Sequence, residues 1–329
     1  MKLKQRPRRL RVNKNIRDLC AETTYPAPSR LVYPVFIQNG KQKADEITSM
    51  PGQFRLSIDL LLQKITAWKQ MGIQNYALFP KIDDSLKNPM ASESLNKDGF
   101  LPTAIKQIKD RFPDLSLYTD IALDPYSSEG HDGLVENGKI LNDATVEILA
   151  QMACLHAQAG ADFVCPSDMM DGRVRSLRLA LESEGHKDTG ILSYSAKYAS
   201  AFYGPFREAL DSAPRAGDKK SYQMDYRNSR EALREARLDL NEGADILMIK
   251  PALSYLDVIR KVKDISNLPV AAYNVSGEYA MVKAGAAKGW VNEMPIVTEI
   301  LTSIHRSGAD IIFTYHAPEY AAFWSKELQ

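Results

Sequence analysis

Asn241-Glu242-Gly243-Ala244-Asp245-Ile246-Leu247-Met248-Ile249-Lys250-Pro251 carries the fold in miniature. Gly243 suits the left-handed cap that ends a helix. The apolar run after it is short and continuous, the pattern of a parallel strand covered on both faces. Gly-Ala-Asp recurs at Gly160-Ala161-Asp162 and Gly308-Ala309-Asp310, and Gly72 stands similarly before another run. Reading outward, the strand candidates are Leu31–Ile37, Asn75–Pro80, Leu115–Leu123, Asp162–Ser167, Ile191–Ala196, Ala244–Lys250, Leu268–Val275 and Asp310–Tyr315. Between them lie apolar residues at helical spacing. Ile58, Leu61, Leu62, Ile65 and Trp68 share one face, and Val146, Leu149, Ala150, Ala153 and Leu155 another. Arg230–Leu240, Tyr255–Val262 and Ile296–Ile304 read the same way. Strand–helix alternation with short links means parallel pairing through right-handed crossovers. The expected fold is α/β, a (β/α)8 TIM barrel over 31–329 preceded by an N-terminal arm over 1–30. A doubly wound sheet is the alternative, but no GxGxxG or GxxxxGK[ST] follows the first strand.

The 329 residues are 44% hydrophobic and 25% charged, an ordinary globular balance. No stretch approaches the ~18 apolar residues of a membrane helix. Forty-two basic residues against 41 acidic ones leave a net +1, which excludes nucleic-acid binding through bulk charge. Cys20, Cys154 and Cys165 are too scattered for a disulfide framework or a CxxC zinc site, so a reducing cytoplasm is the expected home. MKLKQRPRRLR is basic without an apolar core, unlike a secretory signal. It reads either as a solvated arm or as one that packs on a partner subunit.

Barrel chemistry sits at the C-terminal ends of the strands. There the sequence places Asp120, Asp124, Glu129, His131 and Asp132 after the third strand and Ser167-Asp168 after the fourth. Lys197 ends the fifth strand and Lys250 the sixth. An amine in a barrel mouth loses water, and a neighbouring cation lowers its pKa further, toward the neutral form that a Schiff base needs. The plainer reading is an ion pair or a phosphate anchor. The aspartates suit a hard cation or proton transfer, or simply loop capping, and His131 and His316 are open as ligands or bases. Residues 198–225 carry no clear strand but do carry aromatics and cations, as a lid over an anionic substrate would.

Ser193-Tyr194-Ser195-Ala196-Lys197, Tyr203-Gly204-Pro205-Phe206-Arg207, Met248-Ile249-Lys250-Pro251, Val275-Ser276-Gly277-Glu278 and Ser167-Asp168-Met169-Met170-Asp171-Gly172-Arg173 resemble the porphobilinogen synthase (5-aminolevulinate dehydratase) family, in order and over nearly the whole chain. The resemblance implies a lyase of tetrapyrrole biosynthesis that condenses two 5-aminolevulinate molecules to porphobilinogen with loss of two waters. It implies Schiff bases on Lys250, for the substrate giving the propionate side, and on Lys197, for the acetate side. Ser276 and Tyr315 would hold the first carboxylate, Arg207 and Lys219 the second, with Tyr203 and Gln223 in the same pocket. Asp120 and Ser167 would aid proton transfer and orientation. Zinc-dependent relatives carry three cysteines where this chain has Ala122, Asp124 and Asp132, which excludes sulfur-bound zinc there. The resemblance is to the magnesium-type branch, with Asp124 and Asp132 as candidate active-site ligands. It also implies an allosteric magnesium at Glu242, near a neighbouring subunit's arginines such as Arg11, in a homo-octamer with no nucleic-acid or membrane partner. A class I Schiff-base aldolase and a non-catalytic metal-binding barrel are the rival readings.

Overall fold

The structure, a computed structural model, describes residues 6–328. Eight parallel strands close on themselves: β1 (Leu31–Gln38), β2 (Asn75–Lys81), β3 (Ser116–Ile121), β4 (Phe163–Pro166), β5 (Gly190–Lys197), β6 (Ile246–Lys250), β7 (Val270–Asn274) and β8 (Ile311–Thr314), with β8 paired back to β1. The (β/α)8 barrel expected from the sequence is the fold. Some expected runs are trimmed: Leu115–Leu123 gives a strand over Ser116–Ile121 only, and Asp310–Tyr315 one over Ile311–Thr314. Helices α1 (Ile58–Gln70), α2 (Phe100–Arg111), α3 (Asn142–Ala159), α4 (Arg173–Ser183), α5 (Arg230–Glu242), α6 (Leu256–Ile265), α7 (Ser276–Ala287), α8 (Glu293–Arg306) and α9 (Ala317–Glu327) form the outer layer. The sequence reading did not identify α2, α4, α7 or α9. It also did not identify the hairpin over Ala44–Leu56, which adds to the edge of β1. Of the arm, residues 1–5 lie outside the described residues, and Pro7–Arg11 and Lys14–Leu19 form short, solvent-exposed helical turns.

The Gly-Ala-Asp turns are a repeated joint. Gly160, Gly243 and Gly308 all hold φ above +100°, where glycine alone escapes a steric penalty. Each following aspartate accepts the backbone N–H of a neighbouring strand and pairs with a cation on a helix. Asp162 takes Leu117 and Lys109, Asp245 takes Ile191 and Arg178, and Asp310 takes Val270 and Lys263.

Alternate strand positions fill the barrel: Phe36, Phe79, Tyr118, Cys165, Tyr194, Met248, Tyr273 and Phe313 are buried together there. The other parity packs beneath the helices. This period of two fixes which strand-end groups face the mouth. Tyr118 pointing inward brings Asp120 with it, and Met248 brings Lys250. On β5, Leu192 and Tyr194 point inward, so strict alternation would turn Lys197 outward. It does not. Between the register pairs Leu247↔Ser193 and Ile249↔Ala196, β5 advances three residues against two on β6. This β-bulge flips the parity, places Ala196 in the outer layer, and turns Lys197 into the mouth beside its register partner Lys250.

Candidate active site

Lys250 is buried and has no carboxylate in ion-pair contact among the described residues. Its Nζ lies instead 4.4 Å from the ring centre of Tyr273, 5.0 Å from Phe206, and 5.2 Å from both Tyr194 and Tyr203. Burial, then the charge of Lys197, pushes its amine down to about 7. Four aromatic faces can hold an ammonium weakly, but they supply no acceptor for its protons. The proton is therefore loosely held, as a nucleophile at neutral pH requires.

Lys197 lies in a different setting. Its Nζ donates to Asp132 at 3.1 Å and to the carbonyl oxygen of Ser167, and it stands 5.9 Å from the Tyr194 ring that Lys250 also faces. Asp132 is shared: its other oxygen accepts from Lys219 at 2.5 Å, while Lys219 also reaches Asp124 at 3.4 Å. Burial alone would raise the Asp132 carboxyl, but the two ammoniums outweigh it and hold the group far below its usual range. Burial would likewise lower Lys219, and the carboxylates of Asp124 and Asp132 hold it above its ordinary value instead. Asp120 has the opposite balance. Burial and Asp124 push it up to about 7, against the pull of Ser167 and both lysines, and its Oδ1 has no partner among the described residues.

The segment after β5 closes the mouth. Its first turn packs so tightly that a Cβ on Gly277 would sit 2.6 Å from the Phe202 carbonyl oxygen. Helix Gly204–Leu210 inserts Phe206 edge-on against Phe79, ring centres 5.1 Å apart. Ser276 accepts the Phe206 N–H at 3.0 Å, Tyr203 donates to the Lys250 carbonyl at 3.1 Å, and Tyr198 bridges to Met224. Arg207 is half-buried on this helix, and its charge acts on Lys219, Tyr203 and Tyr222. Gln223 is buried with Oε1 unpartnered, and the Tyr315 hydroxyl meets that of Tyr273 at 3.0 Å. The expected residues Lys197, Lys250, Asp120, Ser167, Asp124, Asp132, Lys219, Arg207, Tyr203, Gln223, Ser276 and Tyr315 thus gather at one end of the barrel.

Several expectations shift. His131 is committed at both nitrogens, accepting from Tyr222 and donating to the Ala216 carbonyl, each at 3.0 Å, so it ties the β3 loop to the segment above it. His316 is buried against Tyr279, and burial, then Lys283, pushes it down to about 3, so it stays neutral. Asp168 lies ahead of α4, whose N-cap is Gly172. It accepts the Met170 N–H at 2.6 Å and stands near Arg173. Glu242 lies away from the other expected site residues, half-buried at the last turn of α5, where it accepts the Arg175 N–H at 3.2 Å. Among the described residues, no three His, Cys, Asp or Glu side chains are grouped to hold a metal. Asp124 and Asp132 already face ammoniums, so a divalent ion between them would meet two positive charges. That donor set does not fit an active-site metal. The sequence reading also overlooked Tyr194 and Tyr273 as walls of the Lys250 site; inward strand parity is the signal that marks them.

A family profile, delta-aminolevulinic acid dehydratase, matches residues 4–323. The chain belongs to this family. Among its relatives, the chloroplastic delta-aminolevulinic acid dehydratase of Physcomitrium patens is 54% identical over 321 residues, 97% of this chain and 74% of that protein. Delta-aminolevulinic acid dehydratase 1 of Arabidopsis thaliana, also chloroplastic, is 51% identical over 98% of this chain and 75% of its own. The crystal structure of the Toxoplasma gondii ME49 dehydratase (porphobilinogen synthase), solved in complex with the reaction product porphobilinogen, superposes with a TM-score of 0.96 at 54% identity, covering 98% of this chain and 92% of that one. The expected cytoplasmic location is overturned by the plant relatives, whose dehydratases are named chloroplastic.

Proposed function

We infer that the chain is a porphobilinogen synthase, a lyase that condenses two 5-aminolevulinate molecules into porphobilinogen and releases two waters. The observation that carries this reading is the pair of buried amines in register on β5 and β6, one caged by aromatics and one tied to a carboxylate. It stands beside 54% identity to an enzyme solved with porphobilinogen. Lys250 attacks the ketone of one substrate and a water leaves as the imine forms. The protonated imine then draws electrons from the adjacent carbon. Lys197 takes the second substrate in the same way once its proton passes to a neighbour. Asp120, with a carboxyl near 7, is matched to accept and return protons at neutral pH. Ser276 and Tyr315 hold the first carboxylate, Arg207 and Lys219 the second. Residues 198–225 act as the lid that keeps water from imines that would hydrolyse.

The direct test is to incubate the chain with 5-aminolevulinate and measure the pyrrole colorimetrically; no pyrrole from folded protein refutes the reading. A pH profile tests it further. Below about 7 Lys250 is protonated, so borohydride trapping of the Lys250 imine should accelerate as pH rises through that value. A flat profile between about pH 6 and pH 8 would remove the neutral amine from the mechanism. An aldolase or a non-catalytic barrel would yield no pyrrole.

Magnesium belongs to this proposal at Glu242, in a homo-octamer whose arms bring arginines such as Arg11 to a neighbouring subunit. A single carboxylate suits magnesium, which keeps most of its water. No step of the chemistry passes through that ion. Glu242→Ala should lose magnesium stimulation and shift sedimentation toward smaller assemblies. Glu235, half-buried on the same helix beside a cavity of about 640 Å³ with Asp171 and Glu231, is the matched control. If Glu235→Ala loses the stimulation and Glu242→Ala keeps it, Glu242 is not the ligand.

A further inference from the structure

Three groups assigned to the first substrate stand at the ends of adjacent strands: Lys250 on β6, Ser276 after β7 and Tyr315 after β8. One buried chain of hydrogen bonds runs behind all three. Glu278 is 1% exposed. Its Oε1 accepts the N–H of Leu253 at 2.9 Å, and its Oε2 accepts the N–H of Val275 and the side-chain amide of Asn274, both at 2.9 Å. The other end of the Asn274 amide accepts the Thr314 hydroxyl at 2.9 Å, and the Thr314 oxygen accepts the His316 N–H at 3.2 Å. Leu253 lies three residues beyond Lys250, Val275 directly precedes Ser276, and Thr314 directly precedes Tyr315.

A glutamate on the first turn of a helix ordinarily reaches back to the N-cap N–H, and the bond to Val275 is that bond. Capping uses one oxygen. Here the second oxygen reaches a different strand's loop, and the amide beyond carries the link to a third. We propose that Glu278 is a positioning residue for the condensation: its carboxylate fixes the loop that follows Lys250 against the turns that carry Ser276 and Tyr315. This rests on the function inferred above. Every group donating to Glu278 is an N–H, so the site needs an acceptor-only side chain. Glu278→Gln keeps the shape but sets an amide N–H₂ against N–H donors. The loop after Lys250 or the turn before Ser276 must then give way, and small displacements at a reacting centre cost rate steeply.

The experiment uses the intact protein and 4-oxopentanoate, a keto acid with the substrate's carboxylate and no amine. Imine formation at Lys250 is trapped with borohydride and read by mass spectrometry against keto-acid concentration. Glu278→Gln should need about tenfold more keto acid for half-maximal labelling, and Thr314→Val severalfold more, with kcat for pyrrole formation lowered in both. Ile108→Val, which removes one buried methyl on α2, is the control for lost stability and should label like the wild type. Labelling of Glu278→Gln at the wild-type concentration dependence overturns the proposal. Should that variant not fold, unchanged labelling of Thr314→Val overturns it equally. Absence of label on wild-type Lys250 strikes the function itself and is a separate result.

Discussion

Lys250→Met is expected to abolish porphobilinogen formation while leaving the protein folded and more heat-stable. The rate loss should reach about 10⁴-fold or more, the scale seen when a covalent nucleophile is removed. Methionine has nearly the length of lysine and suits an aromatic wall of Tyr194, Tyr203, Phe206 and Tyr273, with favourable contacts between sulfur and rings. Stability should rise because the wild-type amine, at about 7 against an ordinary 10.5, is disfavoured by its burial at neutral pH. Each pKa unit corresponds to about 1.4 kcal/mol, so relief of a few kcal/mol is the right order. Lys250→Arg should be inactive as well, since a guanidinium never deprotonates and forms no imine, and it should lower stability by forcing a permanent charge into the cage. Pyrrole assay, borohydride trapping and calorimetry on the three proteins decide the matter. Turnover by Lys250→Met within tenfold of wild type would eliminate Lys250 as the first nucleophile.

Much of this site is legible in the linear sequence because barrel chemistry gathers where strands end. Apolar runs as plain as Ile246–Ile249 announce their ends, and the Gly-Ala-Asp joints announce their beginnings. Four features stay hidden for physical reasons. By period two, Lys197 should face the helices, since Leu192 and Tyr194 face the barrel interior; only the extra residue in β5 reverses it. Nothing in Ser195-Ala196 marks that bulge, because register against β6 is a tertiary property. Another is the charge cluster that joins the loop after β3 to residues 198–225. Asp132 and Lys219 meet across 87 residues, and no local periodicity reports such a contact. Helix Gly204–Leu210 is hidden for a related reason: at seven residues it is too short to be stable alone and depends on Phe206 packing into the barrel. α4 escapes notice because its apolar positions Val174, Leu177 and Leu181 are interrupted by arginines, one of which, Arg173, is buried against Asp239.

Asp132→Ala should be the most damaging carboxylate substitution in the chain. It takes a carboxylate from two buried ammoniums, Lys197 and Lys219, and removing one partner of a buried ion pair costs about 3–5 kcal/mol. Lys219 keeps Asp124 at 3.4 Å, whereas Lys197 keeps only the Ser167 carbonyl. Activity should fall through both halves of the reaction, because Lys197 is no longer oriented and Lys219 no longer anchors the segment above the mouth, so KM rises as kcat drops. The pH dependence of stability separates this from simple loss of packing. The Asp132 carboxyl is depressed in the folded protein, so its contribution is present above the unfolded carboxylate range near pH 4 and lost as pH falls toward the folded value. Lys219 is raised, so its contribution is present below about 10.5 and lost as pH climbs through its folded value. The difference in unfolding free energy between wild type and Asp132→Ala should therefore be widest between about pH 5 and pH 10 and narrow at both extremes. Lys197→Met in the Asp132→Ala background should recover part of the loss, since it removes the buried ammonium that Asp132→Ala leaves without a carboxylate, while Lys219 stays paired with Asp124. A pH-independent difference with no recovery in the double variant would mean that the cluster acts by shape and that its charges are immaterial.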